Sequence, residues 1–147
     1  MNSVQKIDSF SGKYYFLSNF FPAEITYEGL TYQNNEAAFQ AQKTLNPEEK
    51  AAFSDLDPRT SKHRGRHVRL RTDWEEVKDG IMEDIVRAKF TQNPELREQL
   101  LSTADAELIE GNTWNDRYWG VDVRSGAGQN HLGKILMKVR SELQEQK

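Results

Sequence analysis

A chain of 147 residues fits one domain, and folding at that size removes roughly 68–70% of the unfolded surface from water, enough for a core without staples. The absence of cysteine excludes disulfides and thiolate metal sites, and no apolar run approaches the ~18 residues of a membrane-spanning helix. A formal net charge of −3 gives no overall attraction to nucleic acid, while 10% aromatic content argues against disorder and for a core rich in rings.

Met1 to Asp8 contain no apolar stretch of the secretory kind, so a cytoplasmic location is expected. Tyr14 to Phe16 reads as a short aromatic strand, broken by Leu17-Ser-Asn-Phe-Phe-Pro22. Asn19 falls in that bend between aromatics, where asparagine serves turn chemistry or faces a site. Ile25, Tyr27, Leu30 and Tyr32 flank Glu28-Gly29 in near-alternation, the pattern of a hairpin.

The hairpin feeds a helix with Asn35 as its N-cap and helix formers from Glu36 to Lys43. On that helix Glu36, Phe39, Gln40 and Lys43 stand at i, i+3, i+4 and i+7, so a carboxylate, a ring, an amide and an amine share one face. Glu and Lys two turns apart commonly form a solvated surface pair. Here Phe39 is the only large apolar residue of the run; if it turns the helix inward, Glu36 and Lys43 follow it to the rim of a pocket.

Asn46-Pro47 and Asp57-Pro58 each join a cap residue to proline at the first helical position, predicting two short helices, the second ending near Gly65. From Arg59 to Arg71 the chain carries Arg59, Lys62, Arg64, Arg66, Arg69 and Arg71 with no acid among them. Such a run is either a local anion site or a solvated basic face. His63 and His67 are spaced as a pair, but arginines crowd them and no third ligand stands nearby, so no metal is expected.

Thr72-Asp-Trp-Glu75 has the form of a capping box, and Trp74, Val77, Ile81, Ile85 and Ala88 continue at helical spacing to about Phe90. Trp74 reads as a core anchor. Asn93-Pro94 starts another helix with Leu96, Leu100 and Leu101 inside, and Glu107 to Glu110 reads as a brief strand ended by Gly111. The stretch from Asn112 to Asn130 then has no sustained period, and its tryptophans, Trp114 and Trp119, mark a functional loop rather than a disordered one. His131 to Glu145 closes the chain as a helix with Leu132, Ile135, Leu136, Val139 and Leu143 as its stripe. Asn130 is its expected cap, and Gly126-Ala-Gly-Gln129 offers backbone amides to an anion at the helix start, against the alternative of a plain loop.

Five segments in this order resemble the NADAR (YbiA-like) family: Phe16-Leu-Ser-Asn-Phe-Phe-Pro22, Asn35-Glu-Ala-Ala-Phe-Gln-Ala-Gln-Lys43, Leu70-Arg-Thr-Asp-Trp74 with Lys89-Phe90, Asp116-Arg-Tyr-Trp-Gly120, and Gly128-Gln-Asn-His-Leu-Gly133. The resemblance implies one α+β, mostly helical domain over residues 1–147, with a few short strands, that cleaves N-glycosidic bonds without a cofactor. Two activities go with the family: removal of ADP-ribose from guanine bases, and cleavage of the base-to-ribose bond in phosphorylated riboflavin-pathway intermediates. By motif, Glu36, Lys43 and Asp116 become the catalytic candidates. Asn19, Phe20, Phe39, Gln40, Trp119 and Gly120 become substrate contacts, with Arg64, Arg66, Gly128, Gln129 and Asn130 for phosphates. The chain departs from the family at Asn34-Asn-Glu-Ala37, where Ser or Thr before a Glu-His pair is usual, and over Thr60 to His67. These departures bear on substrate choice more than on reaction type.

Breaking a ribosyl C–N bond builds positive charge on C1′, which calls for a carboxylate near that carbon and an acid for the departing base. Glu36 and Asp116 are the carboxylates on offer. Lys43 opens a second route, attack on C1′ and ring opening to a Schiff base, which requires a neutral amine and so a pKa below the usual ~10.4. The expected substrate is an ADP-ribosylated guanine nucleotide or nucleic acid. The rival from another class is a module that binds ADP-ribose without turnover.

Overall fold

The computed structural model describes residues 5–146, an α+β fold that is mostly helical with a few short strands. It divides into two compact units, one built from Asn19–Asn93 and the other from Met1–Ser18 with Pro94–Lys147.

In the first unit, β2 (Pro22–Tyr27) and β3 (Leu30–Asn34) form the expected hairpin, with Tyr27 opposite Leu30 and Ile25 opposite Tyr32. Glu28 and Gly29 both take positive φ, 49° and 85°, as a tight turn matched to right-handed strand twist requires. Ile25 and Tyr32 are fully buried. The chain passes straight from β3 into α1 (Asn35–Ala41), which packs against the hairpin and against two later helices, α3 (Pro58–Arg64) and α4 (Trp74–Gln92).

Between α1 and α3 lies α2 (Pro47–Ala51). Both proline-led helices start as the sequence predicts: Asn46 accepts from the amides of Glu48 and Glu49, and Asp57 accepts from that of Thr60, while α3 ends at Gly65. The capping box does not form. The cap of α4 is Asp73, whose carboxylate takes Nε and Nη2 of Arg71 at 2.6 and 3.1 Å and makes no bond to a helix amide. The buried face of α4 is also rotated from the expected stripe. Met82, Ile85, Val86, Lys89 and Phe90 are buried, and Val77, Ile81 and Ala88 only half so.

In the second unit, β1 (Lys6–Ile7) pairs in parallel with β4 (Glu107–Leu108), and β5 (Gly111–Asn112) with β6 (Val121–Asp122). The expected strand at Tyr14 to Phe16 is instead part of a 3-10 helix, Gly12–Leu17. Gly12 turns the chain at φ 58°, and local bonds such as Tyr14 N to Ser11 O at 3.0 Å replace a ladder. Phe16 and Leu17 are buried side by side, a pattern that a strand with alternating faces does not give. The helices α5 (Pro94–Ser102) and α6 (His131–Glu145) pack on one another, burying Leu96, Leu100, Leu132, Leu136, Val139 and Leu143.

Among the described residues, no helix is long and apolar enough to cross a membrane. None of the described His, Cys, Asp and Glu residues group in threes or more in a way that could hold a metal ion.

Candidate active site

The helix α1 carries the polar face, and both of its ends are pinned. Its N-cap is Asn34 rather than Asn35: Asn34 Oδ1 accepts from Ala37 N at 2.7 Å, and its Nδ2 donates to Leu56 O at 3.0 Å. Asn35 is drawn away by Asn19, its Nδ2 donating to Asn19 Oδ1 at 3.2 Å. Asn19 also accepts from Glu36 N through its carbonyl at 3.1 Å and sets its own amide on the Met82 sulfur at 3.5 Å. Asn19 is buried and therefore holds the entry to α1. Phe20, its neighbour, is half-buried.

At the other end the last turn tightens, with Gln42 N bonded to Phe39 O and Lys43 N to Gln40 O at 3.1 and 3.2 Å. Lys43 lies just past the regular helix. Its carbonyl accepts from Arg71 N at 2.7 Å, so the backbone that bears the amine is fixed from both sides.

The side chains between these anchors behave as the helical spacing predicts. Phe39 is buried with its ring 5.1 Å from that of Trp74, so it does turn the helix inward. Glu36 is buried, and its Oε2 accepts from Gln40 Nε2 at 2.6 Å. Burial of the Lys43 amine holds its pKa below the ordinary lysine range. Glu36 pulls it back up, and the positive charges of Arg66 and Lys62 push it further down. The result is a half-buried amine that loses its proton more readily than an exposed lysine, in the field of a buried carboxylate and two cations. That arrangement suits a nucleophile.

Arg66 is exposed, as is Arg64, which borders a hollow of about 250 Å³ with Glu49, Ala52, His67 and Val68. Neither Glu36 nor Lys43 borders that hollow, so it is not where the proposed chemistry belongs.

In the second unit the long irregular stretch is built on Asn112, buried at the end of β5. Its side chain donates to Asp116 O and accepts from Asp116 N, both at 2.9 Å. The Asp116 carboxylate in turn accepts from the amides of Tyr118 and Trp119 at 3.1 and 3.0 Å, shaping the turn that carries the tryptophan. Trp119 is half-buried and meets Tyr118 edge-on at 4.9 Å, while Tyr118 lies 4.3 Å from the His131 ring. Gly120 has no room for a side chain, since a Cβ would overlap Glu110.

The start of α6 differs from expectation in two respects. Asn130 does occupy the N-cap position, at φ 54° and with its carbonyl accepting from Lys134 N, but its side chain makes no capping bond; it instead donates to Leu108 O and accepts from Glu110 N, at 2.9 and 3.0 Å. Nor are the amides there open to an anion. Gln129 N, Asn130 N, His131 N and Leu132 N donate to the carbonyls of Arg117, Gly120, Tyr118 and Trp119. At Gly128 a Cβ would overlap Gly120 O, so backbone packing by itself calls for glycine there. A loop lying across the helix start supplies the acceptors that were expected from a phosphate.

Lys89, quoted above only within a motif, and Gly65, above only a helix end, are both buried. Lys89 is buried on α4 between the rings of Phe21 and Phe90, 5.6 and 5.1 Å from its amine, and burial pushes its pKa down to about 7. Its signal was its spacing from Met82 and Ile85, which puts it on the buried stripe. Gly65 closes α3 directly against Gln40, a contact between distant segments that leaves no local trace.

A family model for the NADAR domain matches residues 7–144. The chain is 43% identical over 138 residues to N-glycosidase YbiA of Escherichia coli (strain K12), covering 92% of this chain and 85% of that protein. It is 37% identical over 132 residues to N-glycosidase Npun_R5314 of Nostoc punctiforme, covering 86% and 83%. Riboflavin biosynthesis protein VVA0006 of Vibrio vulnificus is 41% identical over 134 residues, which are 88% of this chain and 36% of that one. The NMR structure of E. coli YbiA superposes with a TM-score of 0.84 at 37% identity, over 98% of this chain and 86% of the other. The chain belongs to the NADAR domain family.

Proposed function

We propose that the protein is an N-glycosidase that removes ADP-ribose from guanine bases, with Lys43 as nucleophile and Glu36 as proton carrier. The observation that carries this reading is the Lys43 amine, half-buried with its pKa lowered despite the opposing charge of Glu36. The names of the E. coli and Nostoc relatives support the bond type. The choice of guanine and ADP-ribose rests on the family resemblance.

The steps follow from the residue chemistry. The neutral Lys43 amine attacks C1′, and the electron pair of the C1′–N bond leaves with the base, which takes up a proton. The attacking nitrogen gives its surplus proton to Glu36. Opening of the ribose ring, with a proton delivered to its oxygen, yields a Schiff base, and water then adds to release the sugar and restore the amine. Direct attack by water with Glu36 as base is the simpler route if no bond to Lys43 forms. Asp116 is assigned to loop geometry rather than to proton transfer, because its carboxylate already accepts two amides. Arg66 and Arg64 are the proposed phosphate ligands.

A second reading, cleavage of phosphorylated riboflavin-pathway intermediates, draws on the similarity to the Vibrio protein, of which the chain spans about a third. Incubating the protein separately with ADP-ribosylated guanosine and with a phosphorylated riboflavin intermediate, and identifying products by mass spectrometry, distinguishes the two. Release of ADP-ribose with free guanosine supports the first; release of a base from the flavin precursor alone replaces it with the second. Tight binding of ADP-ribose with no product from either substrate points to a binding module.

A further inference from the structure

The two ends of the Gln40 side chain meet different surroundings. Nε2 donates to Glu36 Oε2 at 2.6 Å, whereas Oε1 is buried without a hydrogen-bond partner. Folded proteins avoid buried unsatisfied acceptors at all but a few positions, so this one calls for a reason. Turning the amide round gives no relief, because it would set the carbonyl oxygen against the Glu36 carboxylate at the same 2.6 Å.

Gly65 fixes the carbonyl end. A Cβ there would overlap Gln40 Oε1 and stand 2.7 Å from Cδ and 3.2 Å from Cβ. The backbone of Gly65 has φ −60° and ψ −18°, ordinary helical values that any residue adopts. Its conformation does not call for glycine; the space taken by Gln40 does. Gly65 N donates to Ser61 O at 2.9 Å, which ties this wall to the frame of α3.

We infer that Gln40 is a positioning residue for Glu36, wedged by Gly65 so that its amide holds one carboxylate oxygen in a fixed direction. This rests on the N-glycosidase reading with Glu36 as proton carrier. It also moves Gln40 from the substrate contacts to the support of a catalytic group. The fold bears an unsatisfied carbonyl at one end of the amide and gains an oriented carboxylate at the other.

The test is Gln40→Met, which keeps the length of the side chain and removes the donor, assayed on ADP-ribosylated guanosine and on the riboflavin intermediate beside wild type and Glu36→Gln. The expected result is a kcat lower by roughly 10- to 100-fold, the scale of a hydrogen bond to a charged group, with KM and melting temperature near wild type. Gln40→Glu sets a second carboxyl against Glu36, and its turnover falls as the pH rises through the carboxylate titration range, which a merely structural role would not produce. In Gly65→Ala/Gln40→Ala the overlap with Oε1 and Cδ is gone and only the 3.2 Å approach to the Cβ remains, so thermal stability recovers in large part relative to Gly65→Ala while kcat stays low. A wild-type kcat in Gln40→Met, or a raised KM at unchanged kcat, overturns the inference while the functional reading stands. Wild type that releases no base from either substrate, or Glu36→Gln with full activity, overturns both.

Discussion

Lys43, just past the end of α1, is held below the ordinary lysine range even though Glu36, seven residues earlier in the first turn of that helix, pulls its pKa the other way. Burial outweighs the carboxylate, and the positive charges of Arg66 and Lys62 add to burial. Burial thus makes the free amine easier to reach than in an exposed lysine, while Glu36 itself is buried.

Replacing Lys43 by alanine or arginine is therefore expected to lower kcat by roughly 10³-fold or more, since neither replacement can form the imine. Circular dichroism and melting temperature should stay close to wild type, because Lys43 is only half-buried. Assay of product release by chromatography checks both statements together.

The pH dependence has a definite sign. Attack requires the free base, so kcat/KM rises with pH as the Lys43 ammonium loses its proton, below the ordinary ~10.4. Lys62→Gln removes a nearby cation that disfavours the ammonium, so the Lys43 pKa rises and this limb moves to higher pH. A pH–rate series on the two proteins reads the displacement, and a shift to lower pH would count against the assignment.

Lys89 gives a stability test with a sign of its own. Its folded pKa of about 7 lies below the unfolded value, so between about pH 7 and the ordinary lysine range the unfolded chain binds more protons at this site. Stability from this group is accordingly greatest above the unfolded pKa and is lost as the pH falls through the folded one. Thermal unfolding of wild type and Lys89→Met from pH 7 to 9 should show the variant gaining less with rising pH.

Much of this framework was legible from local chemistry. Asn46-Pro47, Asp57-Pro58 and Glu28-Gly29 declare themselves because their caps and turn close within four residues, and Phe39, the only large apolar residue of its run, marks the inward face of its helix. The failures arise where a distant partner decides. Asn34 and Asn35 are both sound caps by type, and only the bond from Asn35 to Asn19 settles which is used. Asp73 follows Arg71 instead of the helix amides, and Asn130 follows Leu108 and Glu110. The glycines near α6 suggested an anion, but carbonyls from Arg117 to Gly120 already fill the place.

Asp116 distinguishes a structural carboxylate from a catalytic one. Asp116→Asn keeps an oxygen for the amides of Tyr118 and Trp119, so activity should stay within about threefold of wild type, whereas Asp116→Ala removes two bonds and costs roughly 1–3 kcal/mol of stability. Equal loss of kcat in both variants, measured beside their melting curves, would return Asp116 to the proton-transfer role.

The cap of α1 can be weighed in the same way. Asn34→Ala leaves Ala37 N without its acceptor and should destabilise the protein by about 1–2 kcal/mol in urea unfolding, comparable to other lost N-caps. Because this cap fixes the start of the helix that carries Glu36, a fall in kcat should accompany it.

Borohydride reduction during turnover of ADP-ribosylated guanosine bears most directly on the chemistry assigned to Lys43. Peptide mapping by mass spectrometry should find a reduced sugar bonded to the peptide that contains Lys43, formed only with substrate present and absent from Lys43→Arg. Full turnover with no sugar on the protein, or a sugar bonded to a different lysine such as Lys89, would contradict it.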